Sequence, residues 1–365
     1  MSATIAAAVI PAPGCAVEIR EYPEPALEPD SALLTTELSE VCGTDVHLQA
    51  GRLAGVPYPL IPGHVTAGIL SKIRGRINDV NGTRINEGDR VTFLDVHRTC
   101  NACWHCLVGR ATTRCPSRRV YGITYGASDV LAGGWAEAVY LRPGTKVIPL
   151  GGTSADAFMS GGCSLPTSLH AVERADIGIG DSVLVLGSGP VGLSAVALAR
   201  LSGAGLVLCI GAPSLRLDAA TAMGADHVLD FTSLPADERA AWVRDKNGGR
   251  GADITIEASG APSAVVDAMR STRDAGRVVV VGQYTDHGEV LFNPHADLNR
   301  KHLDVRGCWG SDYSHFHRAV QVAQTPQLAK AWTTLKLDRF PLERANEALE
   351  LVATGSIIKA LIAPG

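Results

Sequence analysis

The stretch SVLVLGSGPVGLSAVALARLSGAGLVLCIG, residues 182–211, leaves this chain few folds to choose from. An apolar β-type run meets a glycine-punctuated turn, then a helix-patterned run, then a second apolar strand. Gly187, Gly189 and Gly192 stand in GxGxxG spacing at the strand-to-helix turn. The first glycine permits the tight turn and the second lets backbone approach a pyrophosphate. The third lets helix and strand pack closely, and the helix N-terminus faces the phosphates. The spacing alone also suits a glycine turn in an unrelated α/β domain. Strand, helix and second strand all lie where the fingerprint needs them, which favours dinucleotide binding through Gly187, Gly189, Pro190 and Gly192.

The same alternation continues through SLRLDAATAMGA, ADITIEASG, SAVVDAMRSTRDAG and RVVVVG. Apolar runs rich in Val, Leu and Ile, separated by helices, mark a parallel sheet covered on both faces. At 365 residues the chain exceeds the usual size of one hydrophobic core. The expected fold is therefore α/β, with a doubly wound parallel sheet over residues 165–304. Residues 1–164 show short β-type runs broken by Gly and Pro and form an irregular, mostly β domain. Residues 305–365 read as a segment that returns to pack on that first domain.

Composition narrows the setting. A net charge of −4 gives no reason to expect a nucleic-acid or membrane-surface partner. MSATIAAAVI lacks a basic lead and does not read as a signal peptide. Nine cysteines, an odd number at low density, fit a reducing, cytoplasmic setting better than a disulfide scaffold.

Four of those cysteines fall in CNACWHCLVGRATTRC: Cys100, Cys103, Cys106 and Cys115. CxxCxxC followed by a fourth cysteine is the pattern of a closed tetrahedral zinc site, which is structural because no position stays open. The zinc lobe spans about residues 97–118. A second set is scattered: Cys42, Thr44, Asp45 and His47 in EVCGTDVHLQAG, His64 in YPLIPGHVTAG, and Cys163 in GGCSLPTSLHA. Cys42, His64 and Cys163 would make a Cys₂His site with one position open. Taken singly, each is more often buried filler than ligand.

The end of the second strand leaves the dinucleotide open between NAD and NADP. An NAD site normally carries a carboxylate there for the ribose 2′-hydroxyl. Gly211 stands in its place, and Arg216 follows five residues on. Loss of the carboxylate removes repulsion toward a 2′-phosphate and Arg216 offers it a partner, a slight lean to NADP.

Over nearly its full length the chain resembles the zinc-dependent medium-chain alcohol dehydrogenases. The resemblance rests on CGTDxH, PGH, GDRV at 88–91, the four-cysteine lobe, and Cys163 placed 24 residues before Gly187. IEASG, GRVVVVGQ and the closing IIKALI also fit. It implies a GroES-like catalytic domain beside the Rossmann domain, and two zinc ions per chain. The catalytic one would lie on Cys42, His64 and Cys163. Thr44 resembles the hydroxyl that meets the substrate oxygen, His47 the relay to solvent, and Asp45 a carboxylate behind the metal. Thr167, Val191, Gln283 and Lys359 would touch the cofactor. The implied reaction moves hydride between a small alcohol or carbonyl compound and the nicotinamide, in a homodimer or homotetramer.

Two departures stand out. Val65 follows His64 where the family usually has Glu, and eight residues separate Cys106 from Cys115 where seven are usual. A loop absorbs one extra residue at little entropic cost. Tyr121, Tyr125 and Trp135 could line a roomy apolar pocket suited to a secondary or cyclic alcohol. Arg110, Arg114, Arg118 and Arg119 read more simply as a solvated basic loop than as a site for an anion. A zinc-free quinone or enoyl reductase and a non-enzymatic protein that keeps the fold are the competing readings.

Overall fold

The computed structural model describes residues 4–332 and 335–365. They divide into two compact units: residues up to Cys163 with Asp312–Gln324 and Lys336–Gly365, and Ser164–Ser311 with Thr325–Leu335.

The first unit is built around the strand Ser31–Val41, nine of whose eleven residues are buried. It pairs antiparallel with Thr66–Arg74, with Ala138–Leu141 and with Lys359–Ile362. Arg90–Phe93, Val147–Pro149 and Leu337–Phe340 extend the sheet to seven strands. One apolar cluster, with Leu48, Leu60, Trp135 and Leu349, packs under helices Gly43–Gln49 and Ala345–Thr354. Another gathers Leu38, Val65, Phe158, Phe316 and Leu361, and Cys163 packs against it. These clusters matter because they fix the segments that carry Cys42, His64 and Cys163.

The second unit holds a six-stranded, all-parallel sheet. In spatial order its strands are His227–Asp230, Leu206–Gly211, Ser182–Leu186, Ala252–Glu257, Thr272–Val280 and Asp304–Gly307. Read by sequence position this is 3-2-1-4-5-6, the order of a Rossmann fold. Ser182–Leu186 lies at the reversal of strand order and is buried throughout, as a strand covered on both faces must be.

The return to the first unit comes later than residue 305 and is interrupted. Asp304–Gly307 pairs parallel with Thr272–Val280, so the residues through Ser311 stay with the second unit, as do Thr325–Leu335. A single apolar turn cannot reveal that a short strand completes a sheet from its edge. Among the described residues, no helix is long and apolar enough to cross a membrane.

Candidate active site and metal centres

In the four-cysteine lobe, strand Val96–Arg98 leads to a helical turn at Trp104–Leu107, and a 3₁₀ turn at Thr112–Arg114 brings Cys115 back. Arg110, in the loop between Cys106 and Cys115, takes a positive φ of 47°. The sulfurs of Cys100 and Cys106 lie 4.0 Å apart, those of Cys103 and Cys106 3.6 Å, and those of Cys115 and Cys100 3.6 Å. A disulfide needs about 2.05 Å, and all four cysteines are free. Sulfurs around one tetrahedral zinc, each about 2.3 Å from it, lie roughly 3.8 Å apart. The lobe fits a zinc ion.

The second set comes from three remote segments. Cys42 directly follows the central strand and caps helix Gly43–Gln49. His64 precedes strand Thr66–Arg74, and Cys163 follows helix Ala155–Gly161. One ligand atom from each lies within 4.8 Å of the others, with Cys42 Sγ 3.9 Å from His64 Nε2. The Asp45 carboxylate accepts the backbone N–H of Cys42 at 2.9 Å and of Gly63 at 3.4 Å. It thus clamps two ligand segments together, as the N3 member of a capping box does for its own helix.

The electrostatics of the trio suit a cation. A hydrogen bond from Cys163 holds the Cys42 thiol well below its ordinary value against burial, with His64 and Thr44 acting in the same direction. The same contact, followed by burial, pushes Cys163 well above its own. Burial works against a charged His64, yet the Cys42 thiolate, then Asp45 and Asp95, raise it to about 10. Two sulfurs and an imidazole are held so close that protons must neutralise them. A divalent cation displaces such protons on binding, and three ligands leave one position open.

Helix Gly43–Gln49 carries Thr44 and His47 three residues apart. That spacing places two side chains on one face, roughly 5–6 Å apart at Cβ. Both are half-buried.

In the second unit the glycine turn differs by position. Gly187 takes φ of +108°, and a Cβ there would meet Ala258 and Ser259 backbone at 2.8 Å. A Cβ at Gly192 would lie 1.8 Å from Gly187 O, so the third glycine is required by helix–turn packing. A Cβ at Gly189 would meet nothing within 4 Å, leaving open space before the N-terminus of helix Pro190–Leu201. Gly187, Ser188, Gly211, Arg216 and Ser259 line a cavity of about 610 Å³ there. Gly211 has no room for a side chain: a Cβ would lie 2.3 Å from Ser188 Oγ and 2.8 Å from Ser188 N. Arg239 also lines the cavity, but Asp267 Oδ2 at 2.5 Å and Leu234 O at 2.8 Å engage it. Arg216 is half-buried, and burial lowers its pKa. Thr167 lies in helix Ser164–Ala175, and the Val191 carbonyl accepts the Ser168 hydroxyl at 2.8 Å. Gln283 Nε2 is buried without a partner among the described residues. The open turn, the cavity and this orphaned amide fit a dinucleotide.

Several expectations need correcting. Lys359 is 2% exposed, and its ammonium is paired with Glu40 Oε1 at 2.9 Å and with Gly161 O at 2.9 Å. A cation so enclosed is not presented to a cofactor. Tyr121 and Trp135 are fully buried and Tyr125 is 6% exposed, so these aromatics are core rather than pocket lining. Trp135 Nε1 donates to Glu40 O, and Tyr121 Oη meets Thr145 Oγ1. Arg119 stacks over the Tyr125 ring at 4.4 Å and pairs with Asp129. Sequence reasoning also missed Glu40 itself, a buried carboxylate beside Cys163.

Comparison with known proteins agrees with this geometry. The family described as alcohol dehydrogenase GroES-like domain matches residues 28–152, and the zinc-binding dehydrogenase family matches residues 190–325. 5-exo-hydroxycamphor dehydrogenase of Pseudomonas putida is 32% identical over 95% of each chain. An alcohol dehydrogenase of Thermotoga maritima superposes with a TM-score of 0.92 at 31% identity, covering 100% of both chains. A zinc-binding dehydrogenase of Sinorhizobium meliloti, solved with NADP, gives 0.85 at 26% identity over 100% of both. The protein belongs to the zinc-dependent medium-chain alcohol dehydrogenase family. It is an oxidoreductase acting on CH–OH donors with a nicotinamide dinucleotide.

Proposed function

We propose that the protein interconverts a secondary or cyclic alcohol and its ketone, with NADP as the preferred dinucleotide and two zinc ions per chain. The observation that carries this reading is the convergence of Cys42, His64 and Cys163, with their ligand atoms within 4.8 Å of one another. The likeness to a hydroxycamphor dehydrogenase supports a cyclic substrate. Arg216 in the cavity, together with a relative solved with NADP, supports the cofactor.

When bound, zinc supplies Lewis acidity toward a substrate oxygen and the nicotinamide supplies the hydride acceptor or donor. The chain's own residues do the rest. Cys42, His64 and Cys163 hold the metal with one position left for substrate. The Thr44 hydroxyl accepts the alcohol proton as it gives up its own toward His47, three residues on along the same helix, which passes a proton to solvent. The Cys100, Cys103, Cys106 and Cys115 lobe holds the second zinc and takes no part in the chemistry. Gly187, Gly189, Pro190, Val191 and Gly192 receive the pyrophosphate, while Thr167 and Gln283 meet the nicotinamide half.

A panel of primary, secondary, cyclic and polyol substrates against NAD and NADP tests the proposal. The highest kcat/KM is expected for a cyclic or secondary alcohol with NADP. Faster turnover of primary alcohols or polyols would overturn the substrate class, and faster turnover with NAD would overturn the cofactor.

A further inference from the structure

The family usually carries Glu after the ligand histidine, and here Val65 stands there, 1% exposed and sealed in an apolar cluster. A carboxylate nevertheless reaches the site from another strand. Glu40 is 1% exposed and lies two residues before Cys42. Its Oε2 accepts the backbone N–H of Cys163 at 2.6 Å. Its Oε1 pairs with Lys359 Nζ at 2.9 Å, and both side chains are 1% exposed.

The pair follows from strand register. Leu361 lies opposite Glu40 in the antiparallel pairing of Ser31–Val41 with Lys359–Ile362. Lys359, two residues from Leu361, is thus the diagonal neighbour of Glu40 on the same face, within reach of a long side chain. Three consecutive residues then feel the pair. Lys359 Nζ donates to Gly161 O at 2.9 Å, and Glu40 accepts from Cys163 N. Between them, a Cβ on Gly162 would lie 2.1 Å from Glu40 Oε2 and 2.8 Å from Lys359 Nζ, at φ of +49°. Only glycine fits there, so the backbone entering Cys163 lies directly on the ion pair.

Glu40 also reaches the other two ligand segments. It lies near the end of the strand that leads into Cys42, and its backbone N–H donates to Val65 O at 3.0 Å, next to His64. Its own carbonyl accepts the Trp135 indole N–H at 2.9 Å, so every polar group of Glu40 is engaged. A charged side chain this deep is retained only with its partners in place.

We propose that Glu40, held by Lys359, is the positioning carboxylate of the Cys42–His64–Cys163 site, replacing the one that Val65 removes. It fixes the Cys163 backbone so that the sulfur faces the other two ligands. The proposal rests on the reading of that trio as a metal site. Groups behind the first ligands are worth about 10- to 100-fold in metal affinity when removed.

The test compares Glu40→Gln with Glu40→Gln/Lys359→Met, using the zinc-loaded enzyme. Glu40→Gln leaves Lys359 buried without its anion and should lower the melting temperature. The double variant removes both charges and should recover that temperature. Loss of zinc to a chelator from the Cys42 site should nevertheless be about 10- to 100-fold faster than wild type in both variants. Zinc in the four-cysteine lobe should be retained, and the visible spectrum of the cobalt-substituted Cys42 site should shift. Wild-type zinc retention and an unchanged cobalt spectrum in the double variant would make the pair a folding element alone and overturn the proposal. A wild-type protein whose zinc content is unaffected by Cys163→Ser would overturn the trio as a metal site, and this proposal with it.

Discussion

The two cysteine-based sites of this chain are built in opposite ways. Cys100, Cys103, Cys106 and Cys115 fall within sixteen residues, in a lobe with almost no core. Its helical turn and its 3₁₀ turn contain no buried residue, and Trp104, Leu107 and Val108 are each more than 60% exposed. Cys42, His64 and Cys163 come from a central strand, a strand entry and a helix end, pinned by Asp45 and packed against buried apolar clusters. In the lobe, a bound metal would supply the structure that apolar burial does not. In the second site the fold exists first and holds three ligands ready, which lets the fourth position stay open for chemistry.

Breaking one ligand in each site should expose that difference most strongly. Cys163→Ser is expected to abolish turnover and remove one zinc per chain, while the melting transition shifts little. Cys103→Ser is expected to remove the other zinc and bring thermal unfolding or protease cleavage at about residues 97–118, with activity lost as a consequence. Elemental analysis beside calorimetry and limited proteolysis distinguishes the two. A Cys103→Ser protein that melts and resists protease like wild type would show that the lobe stands without its metal.

Thr44→Ala should come next in size. Removing a positioned proton-transfer group costs about 10²–10⁴-fold in rate, and zinc content should stay at the wild-type level. His47→Gln should act in the same path more weakly, mainly at the low end of the pH profile. A wild-type rate in Thr44→Ala would remove the hydroxyl from the proton path.

How much of this the sequence disclosed follows from how local each feature is. The GxGxxG turn and the four cysteines are contiguous, so spacing alone carries their chemistry. Cys42, His64 and Cys163 are joined only by folding, and family resemblance was needed to group them. Glu40 and Lys359 lie 319 residues apart and meet by strand register, which no local pattern encodes. Tyr121 and Trp135 show the reverse error. Aromatics in a glycine-rich run suit a pocket or a core equally, and only packing decides. At Gly211 the missing carboxylate looked like cofactor choice, whereas close approach of Ser188 demands glycine in any case.

Acid should weaken metal binding at the Cys42 site. In the metal-free Cys42 site both His64 and Cys163 have raised pKa values, His64 at about 10. Below those values protons occupy both groups and compete with the metal, so affinity falls as pH falls. Two displaced protons correspond to about a hundredfold in affinity per pH unit near neutrality. In the lobe, the backbone N–H of Ala102, then the Cys103 side chain, draw Cys100 down to about 6, while desolvation raises Cys106 to about 11, so protons compete with a metal there as well. Zinc binding to the Cys42 site, followed by competition with a chelator between about pH 6 and 8, should give that slope. A pH-independent affinity would mean the trio does not carry those protons.

The smallest expected effect lies in the second unit, where neither metal acts. Gly211→Asp is a poor probe of cofactor choice, because its Cβ would press on Ser188 backbone and disturb the glycine turn itself. Arg216→Ala leaves that turn alone. A charge-assisted hydrogen bond to a 2′-phosphate contributes about 1.5–3 kcal/mol, or roughly ten- to hundredfold in affinity. Burial already places the guanidinium in a partly desolvated cavity wall, where such a bond is strengthened. The Kd for NADP should therefore rise by roughly that factor in Arg216→Ala, and the Kd for NAD by much less. Direct binding titrations with both dinucleotides measure it independently of turnover and of zinc. Equal weakening of both would show that Arg216 meets the part of the dinucleotide they share, and the preference for NADP would lose its support.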